Sequence, residues 1–422
     1  MTRIRKLIWA LWFTGSGLVL LSWLRLVNTD VGWTGTYIAA AGWLVSLATS
    51  RQPQISRDDS TESIESSGLD RETADEYRAA IVELTRRLER LPENRSELLA
   101  SRGAYYRALG KWESAISDLD SAIATSPHAD GVTLFDRAIA LYESGDAERA
   151  LADIQNAIEQ FETCEDEPDD LESAHLWMHD ILLKLERFEA VIADCNRLLP
   201  TQTANEARIR IARACALTAI GKHDDSLNEL NTVMTQLDND HVNRAQALRA
   251  RAGVRLRMGE VARAIVDIEQ LQTDEGPTED NLSLMGLAQI QSNDFHAALN
   301  CYKKAALLAT PSADTYSQIA LIQAGCPEEK SRDGTQAEVN ARKACELTKW
   351  NDWTHISILA AAKAELGDFA EAIELAEWAF RLAPDQEKNE RQERIEQYRN
   401  GEPFRIGDAL PRTILRRNPA GS

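Results

Sequence analysis

The sequence predicts an all-α protein in which helix pairs stack one on another, preceded by a hairpin of two membrane helices. Three observations carry that expectation. Of 422 residues, 44% are apolar but only 6% aromatic, so Ala and Leu supply most of the apolar content, as in helical proteins. A Gly followed five residues later by an Ala returns at Gly110/Ala115, Gly145/Ala150, Gly259/Ala264 and Gly367/Ala372. Two stretches near the start of the sequence, residues 7–24 and 31–49, contain no charged side chain.

At about 1.5 Å of rise per residue, each uncharged stretch is just long enough for the hydrocarbon core of a bilayer. Five of the ten Trp lie in this region, and Trp9, Trp23 and Trp33 sit near the segment ends, where an aromatic belt would place them. The short connection between the segments holds Arg25, Asn28 and Asp30. A cleaved signal peptide is the rival reading. The second apolar segment and the lack of a small-x-small cleavage site count against it. Arg3, Arg5 and Lys6 precede the first segment, and Arg51 and Arg57 follow the second. The positive-inside rule then gives a multi-pass protein of the plasma (inner) membrane with both ends in the cytoplasm.

Residues 50–69 turn polar, with six Ser and almost no large apolar residue, and read as a flexible linker. Helical patterning resumes over residues 70–95 as a leading helix. The net charge is −20, although residues 1–57 hold six Lys/Arg against one Asp. An acidic body argues against nucleic acid, whose phosphates need a basic surface. The six cysteines, Cys164, Cys195, Cys215, Cys301, Cys326 and Cys345, are scattered and never form CxxC. They read as small apolar residues of a reducing compartment rather than as zinc ligands.

Gly221/Ser226, Asn293/Ala298 and Glu186/Val191 fill the gaps in the Gly–Ala series, with successive intervals of 35, 41, 35, 38 and 34 residues. A period near 34 with two helices in each period indicates a helical repeat array. The stretch "SELLASRGAYYRALGKWESAISDLDSAIATSP" resembles a tetratricopeptide repeat. With Ser96 as position 1, Gly103 falls at position 8, Tyr106 at 11, Ala115 at 20, Ala122 at 27 and Pro127 at 32. Ala360, Ala372, Ala379 and Pro384 repeat the pattern near the other end. The resemblance implies a right-handed superhelical solenoid over residues 96–384. It contains eight units starting at Ser96, Gly131, Glu172, Ala207, Ala245, Glu279, Ala313 and Trp353. A capping helix (385–400) and a tail (401–422) follow. Unit three departs from the pattern, with His179 at a small position and Glu186 in place of the turn Gly. Unit seven departs through its enlarged turn, residues 325–336.

Positions 7 and 23 carry charge in step. Units one, two, four and five have Arg102 with Asp118, Arg137 with Asp153, Arg213 with Glu229 and Arg251 with Asp267. Unit six has Met285 with Cys301, unit eight Leu359 with Leu375, and only unit three is mixed, Met178 with Asp194. Joint presence and joint loss predict four Arg–carboxylate pairs inside repeats. Removing one partner of such a part-buried pair is costly, whereas an apolar exchange of both can be neutral.

The resemblance also implies a concave groove lined by positions 2, 5, 9, 12 and 13 of each first helix. Unit two places Val132, Phe135, Ile139 and Tyr142 there. Lys184, Arg208, Arg249 and Arg257 add a basic patch suited to acidic or carboxylate-bearing segments of other proteins. Ala100, Ser101 and Ala104 depart from the family's carboxylate-clamp pattern. His175 and His179 have a spacing that can hold a metal, but in the repeat frame they face the partner helix and read as packing. The acidic run 165–172 lacks calcium-loop spacing and reads as a solvated loop whose Asp169 or Asp170 caps the next helix. No GxxxxGK, GxSxG or HExxH motif occurs. The resulting expectation is a non-enzymatic, membrane-anchored scaffold or adaptor of bacterial style that binds proteins, with no metal or cofactor. Self-assembly into a homo-oligomer that organises the membrane is the second reading. An accessory subunit of an enzyme is the third.

Overall fold

The computed structural model describes residues 71–90, 94–126, 130–163, 168–201, 205–236, 241–308 and 310–407. The two expected membrane segments (7–24 and 31–49), the linker 50–69, Pro127, Cys164 and residues 408–422 lie outside the described residues. Among the described residues all regular structure is helical, and no helix is long and apolar enough to cross a membrane.

The described residues divide into two compact units, one within residues 71–187 and one within 188–407. The first contains α1 (Arg71–Arg90), α2 (Arg95–Ala108), α3 (Trp112–Thr125), α4 (Gly131–Ser144), α5 (Ala147–Thr163) and α6 (Pro168–Lys184). The second begins with α7 (Phe188–Leu198), α8 (Glu206–Ala219), α9 (His223–Gln236), α10 (His241–Arg257) and α11 (Val261–Glu275). It continues with α12 (Glu279–Gln291), α13 (Phe295–Ala305), α14 (Ala313–Gly325) and α15 (Gly334–Leu347). It ends with α16 (Trp353–Glu365), α17 (Phe369–Leu382) and α18 (Lys388–Arg399). Within each unit, consecutive helices pack as antiparallel hairpins and each hairpin packs on the next. The division falls inside repeat three, between α6 and α7.

Seven helix pairs are joined by one turn geometry. Gly110, Gly145, Glu186, Gly221, Gly259, Asn293 and Gly367 all have φ between 56° and 97°, the left-handed region. In each case the next amide reaches back to a carbonyl five residues earlier, as Lys111 N–H does to Tyr106 O (2.9 Å) and Arg187 N–H to Leu182 O (2.9 Å). This is the Schellman closure, which satisfies carbonyls left open at a helix end. Glycine adopts it without steric cost, whereas Glu186 holds it at φ 56° with a Cβ present.

Close helix approach explains the small residues. A Cβ on Gly103 would lie 2.7 Å from Leu119 Cγ, so α2 and α3 meet where no side chain intervenes. Gly286 stands in the same relation to Tyr302. Ala115, Ala150, Ala264, Ala298 and Ala372 are fully buried on the second helices. Ser226 replaces alanine in repeat four, and its hydroxyl donates to Ala214 O (2.8 Å). That bond removes the cost of burying a bare hydroxyl.

Two expectations, the capping carboxylates of the acidic run and the tail, need correction, while the enlarged turn of repeat seven is present. α6 begins at Pro168, so Asp169 and Asp170 lie in its first turn and not at its cap. Proline fits this place because the first helical N–H has no partner to lose. The repeat-seven turn is tied down: Asp333 caps α15, accepting from Gln336 N–H, and its own N–H donates to Gln323 O (2.9 Å). Residues 402–407, expected to be tail, pack against the repeats, with Phe404 and Ile406 only 5% and 2% exposed.

Candidate functional site

The structure brings together the two residues of each of the four charged pairs. Arg102 Nε and a terminal nitrogen donate to the two oxygens of Asp118 at 2.6 and 2.7 Å. Arg137 grips Asp153 in the same two-pronged way, both bonds 2.7 Å. Arg251 does so with Asp267 at 3.1 and 2.7 Å, and Arg255 adds a third donor to that carboxylate. In repeat four, Arg213 bonds Glu229, whose other oxygen accepts from Arg210 at 2.8 Å. The pairs sit where first and second helices cross. Asp118, Asp153 and Asp267 are buried, so these are not the weak pairs of an open surface. The bond to Asp118 raises the Arg102 pKa, against the lowering effect of burial. In repeat three, Asp194 instead bonds Arg197 on its own helix (3.0 Å).

Each of the four arginines also uses a terminal nitrogen on the helix before its repeat. Arg102 donates to Thr85 (2.9 Å), Arg137 to Asp120 (2.7 Å), Arg213 to Asn196 (2.8 Å) and Arg251 to Asn231 (3.0 Å). One guanidinium therefore locks its own hairpin and ties it to the preceding helix. The sequence held no usable signal for this third bond. Its acceptors vary between Thr, Asp and Asn, and the matching places ahead of repeats without the arginine, Gln155 and Glu269, are polar too.

In the first unit, the expected groove residues of α4 behave differently from one another. Ile139 is buried at 4% exposure and serves the core, which removes it from the lining expected of it. Val132, Phe135 and Tyr142 are half-buried. Phe135 meets Phe161 edge-on at 6.4 Å, and Tyr142 meets Trp177 edge-on at 5.8 Å. Lys184 lies over the Tyr142 ring at 4.3 Å and donates to the Tyr142 carbonyl at 3.3 Å. Burial, with Asp180 near, pushes the Tyr142 hydroxyl up to about 12. Beside them, Arg107 bonds Asp136 at 2.9 Å. Burial raises the Asp136 pKa, and the guanidinium opposes that rise.

In the second unit, the three arginines divide. Arg249 is paired with Glu275 at 2.7 Å and touches Asn281, so it is not an open cation. Arg208 and Arg257 are half-buried and have no carboxylate within ion-pair distance among the described residues. Burial lowers the Arg257 pKa, an effect the nearby Cys215 thiol offsets in part. Gly253, at groove position 9 of the same helix, leaves open space where a side chain would stand.

No cluster of metal-ligating side chains occurs among the described residues. His175 and His179 are buried in the first unit. Cys195, Cys326 and Cys345 are buried and outside any disulfide among the described residues, and burial pushes Cys195 and Cys345 up to about 12.

Helix pairs of this length, closed by left-handed turns and locked by small residues, define the tetratricopeptide-repeat fold, and the chain has that fold. A tetratricopeptide repeat protein from Parabacteroides merdae ATCC 43184 is similar over 61% of this chain and 96% of its own, with 22% identity and a TM-score of 0.51. The Cut9–Hcn1 hetero-tetramer of APC/C aligns over 92% and 84% at 13% identity and a TM-score of 0.45. The TPR2AB domain of yeast Sti1, in complex with pHSP90, aligns over 72% and 97% at 17% identity and 0.25. The last two likenesses are too low to carry an argument. No family model and no curated protein matches the sequence.

Proposed function

We propose that the protein is a membrane-tethered scaffold whose first-helix faces hold segments of other proteins. The observation that carries this reading is the pair Arg208 and Arg257. A chain of net charge −20 places two half-buried guanidinium groups on its repeat helices without a carboxylate partner among the described residues. Burying a cation costs free energy that a structural role would recover through a partner, and an acidic segment supplies one. The half-buried aromatics around Tyr142 and Lys184 offer the first unit a surface for an aromatic or acidic side chain. The uncharged segments 7–24 and 31–49 support a bilayer tether with both ends cytoplasmic.

Binding of acidic peptides to the full chain tests the reading. Arg208→Glu with Arg257→Glu should weaken binding at least about tenfold, on the order of 1.4 kcal/mol. Arg249→Glu should act less, because Glu275 already neutralises that cation. Equal affinity of wild type and the Arg208→Glu/Arg257→Glu variant would discard the site. Carbonate extraction of cell membranes tests the tether. The full chain should remain in the pellet, and a chain without residues 7–49 should not.

A further inference from the structure

The segment after α18 does something the repeats do not require of it. Gly401 (φ 73°) ends α18 in a left-handed turn, and Pro403 O accepts from Gln397 (3.2 Å). The chain then crosses the ends of α14 and α16. Ile406 N–H donates to Gly325 O at 2.7 Å. Arg405 forms an ion pair with Glu365 (2.6 Å) and also reaches Ala324 O (3.4 Å). In the repeat frame Ala324, Gly325 and Glu365 stand at positions 12, 13 and 13 of their first helices, which are groove positions.

Gly325 is shaped for this segment. It sits in an α-helix, outside the left-handed region, so its backbone does not call for glycine. A Cβ there would lie 2.5 Å from the Phe404 ring and 3.2 Å from Ile406. The side chain is missing where the segment arrives.

The site also has a readable preference. The Arg394 guanidinium lies 4.1 Å from the Phe404 ring centroid, an arrangement that selects an aromatic residue. Glu365 selects a cation next to it. The buried place of Ile406 takes an aliphatic side chain. Glu365 holds a second arginine, Arg332, at 2.8 Å. When Arg405 leaves, the carboxylate keeps a partner, so the site opens without an orphaned buried charge. Gly407 has open space around it, and Arg405 is 35% exposed.

We infer that the first-helix face of repeats seven and eight is a binding site for an extended partner segment with an aromatic–basic–aliphatic run, and that residues 403–407 are a built-in ligand occupying it. The strap is tethered to the groove through α18, so an incoming segment competes with a ligand of high effective concentration. This site is separate from Arg208 and Arg257, and either assignment stands without the other.

The test uses the full chain and a fluorescent peptide copying residues 401–407. A strap docked about nine-tenths of the time weakens apparent affinity about tenfold. Phe404→Ala with Ile406→Ala should therefore bind the peptide at least about tenfold tighter than wild type. Adding Gly325→Leu to that variant should abolish binding, and peptides with Phe replaced by Ala or Arg by Glu should not bind. Equal affinity of wild type and the strap variant overturns the inference. A second measurement needs no variant: saturating peptide should speed hydrogen exchange of the Ile406 amide in wild type, and an unchanged rate overturns the inference. A wild-type dimer that the strap variant loses would assign the site to a second copy of the chain and overturn the partner assignment.

Discussion

Repeats one, two, four and five close around an arginine and a carboxylate, whereas repeats six and eight close around Met285 with Cys301 and Leu359 with Leu375. The backbone turn is the same in both groups, left-handed with the same return hydrogen bond. Leu359 and Leu375 of repeat eight belong to a large core cluster that runs from Ile290 to Ile406, whereas Met285 and Cys301 of repeat six pack in a small cluster with Ala264 and Ile268 of charged repeat five. The charged repeats of the second unit have smaller clusters instead. One fold is thus held by two kinds of contact. In repeat eight, inside a broad apolar core, two leucines suffice, and in repeat six Met285 and Cys301 do so in a smaller one. In repeats one, two and five a bidentate ion pair with a third bond to the preceding helix supplies the connection, and in repeat four Glu229 takes one bond from each of Arg213 and Arg210. The two solutions differ in how they fail, since a lost charge leaves its partner buried while a lost methyl group leaves a void.

The largest expected effect comes from breaking a charged repeat on one side. Arg137→Ala strands the buried Asp153 and should cost about 3–5 kcal/mol, read as lost amide protection in α4 and α5. Leu359→Ala in repeat eight makes a cavity and should cost about 2–4 kcal/mol by urea unfolding. Converting the charged repeat to the apolar kind, with Arg137→Met and Asp153→Leu, should change stability by less than about 1 kcal/mol. A cost as large as that of Arg137→Ala would show that the two solutions are not interchangeable. The smallest effect concerns what the two groups share. Glu186→Gly relieves a left-handed side chain and should stabilise by about 0.5–1 kcal/mol, seen as a raised Tm.

Much of this was legible before the structure. The turn glycines and the alanines at fixed spacing announced the helix pairs, because backbone sign and close approach restrict those positions to few residue types. The arginine–carboxylate pairs were legible because both members vanish together. Exposure along the groove was not. Ile139 and Tyr142 share a predicted lining, but only the packing of neighbours decides that one is buried and the other half-open. Arg249 and Arg257 look alike in sequence, and Glu275 is what separates them. The strap looks like tail in the sequence because five residues carry no periodicity, and its signature, Gly325, lies far away in the chain.

The third bond of Arg102, Arg137 and Arg251 has a mechanical consequence. Because Arg137 holds Asp153 with two donors and Asp120 with the third, tension between one repeat and the next loads the single bond before the double one. Under pulling force the chain is expected to part between repeats first and to unravel within them afterwards. Each repeat would then release roughly 110 Å of contour as it opens. Optical-tweezer traces should show short precursory slips before those longer steps in repeats one, two and five, and none in repeats six and eight.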